Sequence, residues 1–181
     1  MGAFSRSFCH ELPYNCVMKL LDLPLILETR RNHALEHATL HILGRQFPRQ
    51  RLAGHSNPTG FIVLGDVPTA AIRQAVVQAL TRLQSGEREL AIHPGCGTNY
   101  VISGLVAGLL AWLSMGNARN GRQRLSRLPF VVMLATLGFI ISQPLGPIFQ
   151  ARLTTEANPA DLTIVDIYPL WVGVHRVVTR G

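Results

Sequence analysis

Two stretches of this chain carry no charged side chain, residues 90–118 and residues 128–151. Inside them, residues 100–115 and 128–142 are almost continuously apolar. Each is a little short of the roughly 20 residues that a helix needs to cross a hydrocarbon core of about 30 Å. Flanking residues and local thinning of the bilayer make up such a difference, so the pattern predicts a transmembrane helical hairpin over residues 99–149. Gly104 and Gly108, continued by Ala111, and Gly138 with Ser142 set small residues four apart, the spacing that lets helix backbones approach in lipid. Trp112 falls near the end of the first helix, where an interfacial ring is expected. Pro144 and Pro147 end the second.

Outside the hairpin the period changes. Pro24 suits a first helical turn and Gly44 a helix end, predicting a helix over residues 25–43. Residues 51–53 and 61–64 read as short strands around the turn-rich run His55-Ser56-Asn57-Pro58-Thr59-Gly60. Asp66 and Pro68 open a second helix whose apolar positions Ile72, Val76, Leu80 and Leu83 share one face. Gly86 closes it, residues 89–92 read as a strand, and strand–helix–strand within about 30 residues suggests a βαβ crossover. Residues 163–167 and 172–178 read as two further strands. The predicted class is α+β: a small α/β domain (helix, ββαβ, two C-terminal strands) interrupted by a transmembrane hairpin. Its domain would comprise residues 18–98 and 150–181, with residues 1–17 as a loose tail.

Composition sharpens the membrane reading. Hydrophobic residues make up 48% of the 181 and charged residues only 15%, with mean hydropathy +0.23, whereas soluble domains carry about a quarter charged residues. The net charge of +7 is concentrated in the hairpin loop, at Arg119, Arg122, Arg124 and Arg127. A nucleic-acid binder would spread cations over its folded part, so no nucleic-acid partner is expected; the expected partners are the lipid bilayer and a further membrane protein. The arginine loop should face the cytoplasm, yet no secretory signal opens the chain. These two arguments oppose each other, and the favoured placement is an inner or photosynthetic membrane with the folded domain cytoplasmic. Cys9, Cys16 and Cys96 have no regular spacing and make no disulfide framework.

The densest chemistry is in Asn32-His33-Ala34-Leu35-Glu36-His37-Ala38-Thr39-Leu40-His41. On a helix, His33, Glu36, His37, Leu40 and His41 fall within an arc of about 140°, opposite Leu35, Ala38 and Ile42. Imidazoles four residues apart stand one turn above each other and can share one metal ion. The plainer alternative is a polar helix face whose histidines pack or hydrogen-bond without metal. His33, Glu36 and His37 spell H-x-x-E-H, which resembles the inverted zinc metallopeptidases. That resemblance implies His33 and His37 as zinc ligands and Glu36 as general base towards a zinc-activated water. The distant glutamate that completes zinc in that family has no match here, and His41 is an additional histidine.

A second cluster, His93-Pro94-Gly95-Cys96-Gly97-Thr98-Asn99, directly precedes the first membrane helix. Its glycines and proline fix a tight loop, and Thr98 or Asn99 can cap the helix. His93 or Cys96 could complete a metal site begun by His33 and His37. Alternatively Cys96 is a nucleophile activated by a histidine and the helix N-terminus, or simply a buried thiol in a turn. His55 is a weaker ligand candidate.

Together, N-H-A-L-E-H-A-T, H-P-G-C-G-T-N before an apolar hairpin, and Pro144-Leu145-Gly146-Pro147 after it resemble a family of small, uncharacterised bacterial membrane proteins found in photosynthetic bacteria among others. The resemblance spans residues 18–166 and implies the architecture but no activity. Two functions are therefore expected in competition. One is a membrane-anchored zinc hydrolase, peptidase-like, with Glu36 as base and His33, His37, His41, His93 and Cys96 as candidate ligands. The other is a non-catalytic accessory or assembly protein that binds a metal ion or a tetrapyrrole through the same histidines.

Overall fold

The structure, a computed structural model, describes residues 20–116, 118 and 120–181. The expected N-terminal tail and Arg119 lie outside the described residues. The class is α+β, and the described residues form five α-helices over residues 24–149 and a four-stranded antiparallel sheet. The chain divides into two compact units, an α/β unit up to Ala91 that resumes at Thr155–Gly181, and a helical unit over Ile92–Thr154.

In the α/β unit, helix α1 spans Pro24–Gln46 and starts, as expected, with proline at its first turn. It continues past Gly44 to Gln46, since Gly44 does not adopt the positive φ of a glycine that ends a helix. A hairpin follows, β1 (Ala53–Asn57) and β2 (Gly60–Leu64). The turn is narrower than the polar run suggests, since only Pro58 and Thr59 lie outside the strands. Asn57 Oδ1 accepts from both the backbone N–H and the hydroxyl of Thr59, and Gly60 adopts φ +129°, a conformation cheap only for glycine. His55 consequently sits in a strand and not in the turn.

Helix α2 (Thr69–Gln84) buries Ile72, Val76 and Leu83 as the periodicity predicts, together with Ala75 and Ala79. Its end is closed by an Arg82–Glu87 ion pair and by Gly86 at φ +94°. The expected strand at residues 89–92 is instead a 3₁₀ turn, Arg88–Ala91. Local bonds from Arg88 N–H to Gly86 O and from Leu90 N–H to Glu87 O take up the backbone groups that a ladder would need. Without that strand there is no βαβ crossover among the described residues, and each strand pair they form is antiparallel.

Strands β3 (Thr163–Trp171) and β4 (Val174–Arg180) complete the sheet in the order β1-β2-β4-β3. Across it, Phe61, Val177 and Ile167 lie in register on one face, and all three are buried with Leu35, Ala38, Leu43, Ile72 and Val76 in a single core. Asn32 of α1 locks helix to sheet: its amide donates to the carbonyls of Asn57 and Pro58, and its oxygen accepts from Thr179 Oγ1.

In the helical unit, α3 (Gly97–Met115) and α4 (Gly121–Ile141) are each long and apolar enough to cross a membrane, and only 6% of either span is buried. Helix α4 begins well before residue 128 and continues through Pro129. It is capped by Asn120, whose side chain accepts from Gln123 N–H, so Arg122, Arg124 and Arg127 belong to its first turns. The two helices meet at Gly138, where an added Cβ would approach Ala107 Cα to 3.1 Å, and at a buried Ser142–Ser103 hydrogen bond of 2.9 Å. Gly138 and Ser142 thus form the seam. Gly104 and Gly108 do not, because the space beside each is open. A five-residue helix, α5 (Leu145–Phe149), and a π turn (Gln150–Thr154) follow.

His175 gives the sheet a pH dependence. It lies on the core face of β4, its Nε2 paired with Thr69 Oγ1 at 3.0 Å and its buried Nδ1 without a partner among the described residues. Burial holds its pKa below the ordinary 6.5. A base depressed in the folded state stabilises the fold above its unfolded pKa and loses that contribution as pH falls below it. Thermal stability should therefore decline as pH drops below about 6.5, and a His175→Gln variant should flatten that limb of the melting-temperature profile.

Candidate metal centre

Helix α1 presents the histidine face to polar surroundings inside the fold. His37 is fully buried and Glu36 nearly so, while His33 is half-buried. The rings of His33 and His37 stand edge to face with centroids 4.2 Å apart, as one helical turn requires. His37 Nδ1 lies 2.6 Å from the carbonyl oxygen of Ala91. A carbonyl only accepts, so the proton resides on Nδ1 and Nε2 is the ring atom with the lone pair. Metal-binding histidines characteristically donate their second nitrogen in this way, which fixes both tautomer and ring orientation. The Ala91 carbonyl is available because the segment turns as a 3₁₀ helix there.

Glu36 points at β1. Its carboxylate accepts a short hydrogen bond from Ser56 Oγ and occupies the space a side chain at residue 54 would fill: a Cβ on Gly54 would collide with Glu36 Oε1. Burial pushes the Glu36 carboxyl above its ordinary pKa, opposed by the Ser56 hydrogen bond and by the electrostatic influence of the nearby His33 and His55 rings. A carboxyl raised in this direction is better matched to proton transfer near neutral pH than an exposed one.

The second motif lies in the helical unit. Cys96 is the N-cap residue of α3 and is buried; its thiol donates to Thr98 Oγ1 at 3.4 Å. The loop is held by Gln150, whose side-chain oxygen accepts from His93 N–H at 2.8 Å. The amide of Gln150 donates to His93 O at 3.1 Å and to Asn99 Oδ1 at 2.6 Å. Asn99 in turn donates to Pro94 O at 2.8 Å. His93 Nδ1 accepts from Gly95 N–H at 3.1 Å, so a neutral His93 ring carries its proton on Nε2. His33 and His37 stand on α1 of the α/β unit, whereas His93 and Cys96 belong to the helical unit. His41 is half-buried on the next turn of α1.

Residues 28–167 match the domain family DUF6391, a domain of unknown function. The chain belongs to this family. The DUF6391 region runs from the first turns of α1 into β3 and so includes His33, Glu36, His37, Ser56, Cys96 and Gln150. A protein of Picosynechococcus sp. described as uncharacterised is 34% identical over 155 residues, covering 78% of this chain and 72% of that relative. No solved structure matches the chain.

Within the DUF6391 region, three features of these two clusters carry no motif signal. Ser56 and Gly54 lie in a run that reads as a turn, and only their place on β1 reveals their relation to Glu36. The Ala91 carbonyl is a backbone group and leaves no residue signature. Gln150 follows the second apolar segment, where an uncharged polar residue reads as a helix end. Because the Ser56 hydroxyl stabilises the charged carboxylate, Ser56→Ala should raise the Glu36 pKa further. The shift would be read by following the Glu36 side-chain carboxyl carbon through a pH titration by NMR.

Proposed function

We propose that the protein is a membrane-anchored zinc-dependent hydrolase, peptidase-like in chemistry, in which His33, His37 and Cys96 hold the metal and Glu36 is the general base. The carrying observation is the His37 Nδ1–Ala91 carbonyl bond, which fixes the tautomer and orients the ring as the second hydrogen bond of a metal-binding histidine does. The donor set agrees with zinc, which accepts imidazole nitrogen and thiolate sulfur and, in catalytic sites, three protein ligands. Chain connectivity supports the third ligand: Ala91 touches His37, and Cys96 follows five residues later, within about 17 Å of extended chain. Zinc would supply Lewis acidity, bringing the pKa of a bound water to about 7. Glu36 would take the proton, its carboxylate oriented by Ser56. The exposed apolar faces of α3 and α4 support the bilayer as the environment, since so much apolar surface exceeds what a soluble monomer exposes.

Elemental analysis of the purified protein tests the metal. About one zinc per chain is expected, falling to near zero in His33→Ala and His37→Ala. Cobalt substitution adds a direct probe of the third ligand: a thiolate-to-cobalt charge-transfer band should be present, and Cys96→Ser should remove it. Substoichiometric metal in protein prepared without chelators would sink the reading. A Soret band in the same preparation would favour the accessory role with a bound tetrapyrrole.

The base is tested separately. Glu36→Gln should retain zinc while lowering hydrolysis of a fluorogenic peptide mixture by about 10²–10⁴-fold. Gly54→Ala should do the same by displacing the carboxylate with a methyl group. Loss of zinc in either variant, or unchanged turnover, would remove Glu36 from the proposed role.

A further inference from the structure

The β3–β4 hairpin ends in an apolar tip that the α/β unit leaves uncovered. From Ile167 to Val174 the sequence Ile-Tyr-Pro-Leu-Trp-Val-Gly-Val contains no charged residue. Trp171 is 73% exposed and Val172 95%, with Tyr168 and Leu170 also exposed beside them. The tip is well fixed. Gly173 turns at φ +70°, Trp171 pairs with Val174, and Gly65 N–H donates to the Gly173 carbonyl at 2.8 Å. A rigid protrusion with a tryptophan, a tyrosine and two aliphatic side chains is costly to leave in water.

We infer that this tip inserts shallowly into the lipid interface, as a contact with the bilayer additional to the two spans. Tryptophan and tyrosine favour the headgroup level, where an apolar ring and a polar edge are both accommodated. Aliphatic neighbours bury in the acyl boundary below, as the apolar faces of interfacial segments do. The bilayer is the occupant indicated by the chain itself. Its two helices apolar enough to cross a membrane would keep lipid at high local concentration around every other part of the same chain. The inference rests on the membrane reading of α3 and α4, and is independent of any metal.

The chain has two tryptophans, Trp112 in α3 and Trp171 at the tip, which allows the two contacts to be read separately. The full chain would be reconstituted in phosphatidylcholine–phosphatidylglycerol vesicles, with Trp112→Phe reporting on Trp171 and Trp171→Phe reporting on Trp112. Trp171 emission should shift to shorter wavelength and be quenched by lipids brominated just below the headgroup, more than by lipids brominated near the chain end. Val172→Asp, at a position without packing partners to lose, should reverse both effects. If Trp112 is quenched and Trp171 is not, the tip proposal is overturned while the spans stand. A blue-shifted but unquenched Trp171 also overturns it, showing the tip covered by protein, either a second copy or a partner. If neither tryptophan is quenched, the membrane reading fails together with the tip.

Discussion

The candidate site on α1 turns on a single backbone contact, the 2.6 Å bond between His37 Nδ1 and the Ala91 carbonyl. It sets the tautomer of a fully buried imidazole, which otherwise has two equivalent choices, and it orients the ring on the helix. The carbonyl is offered only because residues 88–91 form a tight turn and not a strand. In a ladder, that oxygen would be spent on a neighbouring strand. A local failure of strand formation is thus what gives the histidine its partner.

A similar economy governs Glu36. An ionisable carboxyl with almost no solvent access is tolerated only when something compensates its lost hydration. Ser56 supplies a hydrogen bond, and Gly54 supplies room. Helix α1 is held against β1 and β4 by Asn32, whose three hydrogen bonds tie it to the hairpin turn and to Thr179. The carboxylate therefore meets Ser56 in a fixed place. Burial, hydrogen bonding and neighbouring charge act on it together, and the first prevails.

Much of the fold was legible in the chain. Pro24, the spacing of Ile72, Val76 and Leu83, and the uncharged gaps marked α1, α2 and the two long apolar helices, because each rests on a local rule. What failed depended on hydrogen bonds and packing that hydropathy does not encode. Residues 88–91 and 51–57 are too short for period to separate strand from turn, and hydrogen bonding by Asn57 and Gly86 decided them. Gly104 and Gly108 had the right spacing for packing but the wrong azimuth, whereas Gly138 and Ser142 had both. For the candidate site, residue types at helical spacing singled out His33, Glu36 and His37 on α1. Ser56, Gly54, Gln150 and the Ala91 carbonyl remained invisible because their role is to stand opposite something distant in sequence.

The outer strand of the sheet has a further consequence. β3 ends the order β1-β2-β4-β3, carries Pro169, and is irregular against β4 at two places, between Ile164 and Asp166 and between Pro169 and Trp171. A proline there withholds a donor, and each irregularity bends the strand away from a flat template. Of the sheet's two borders, the one formed by β3 is therefore a poor seat for a strand from another chain.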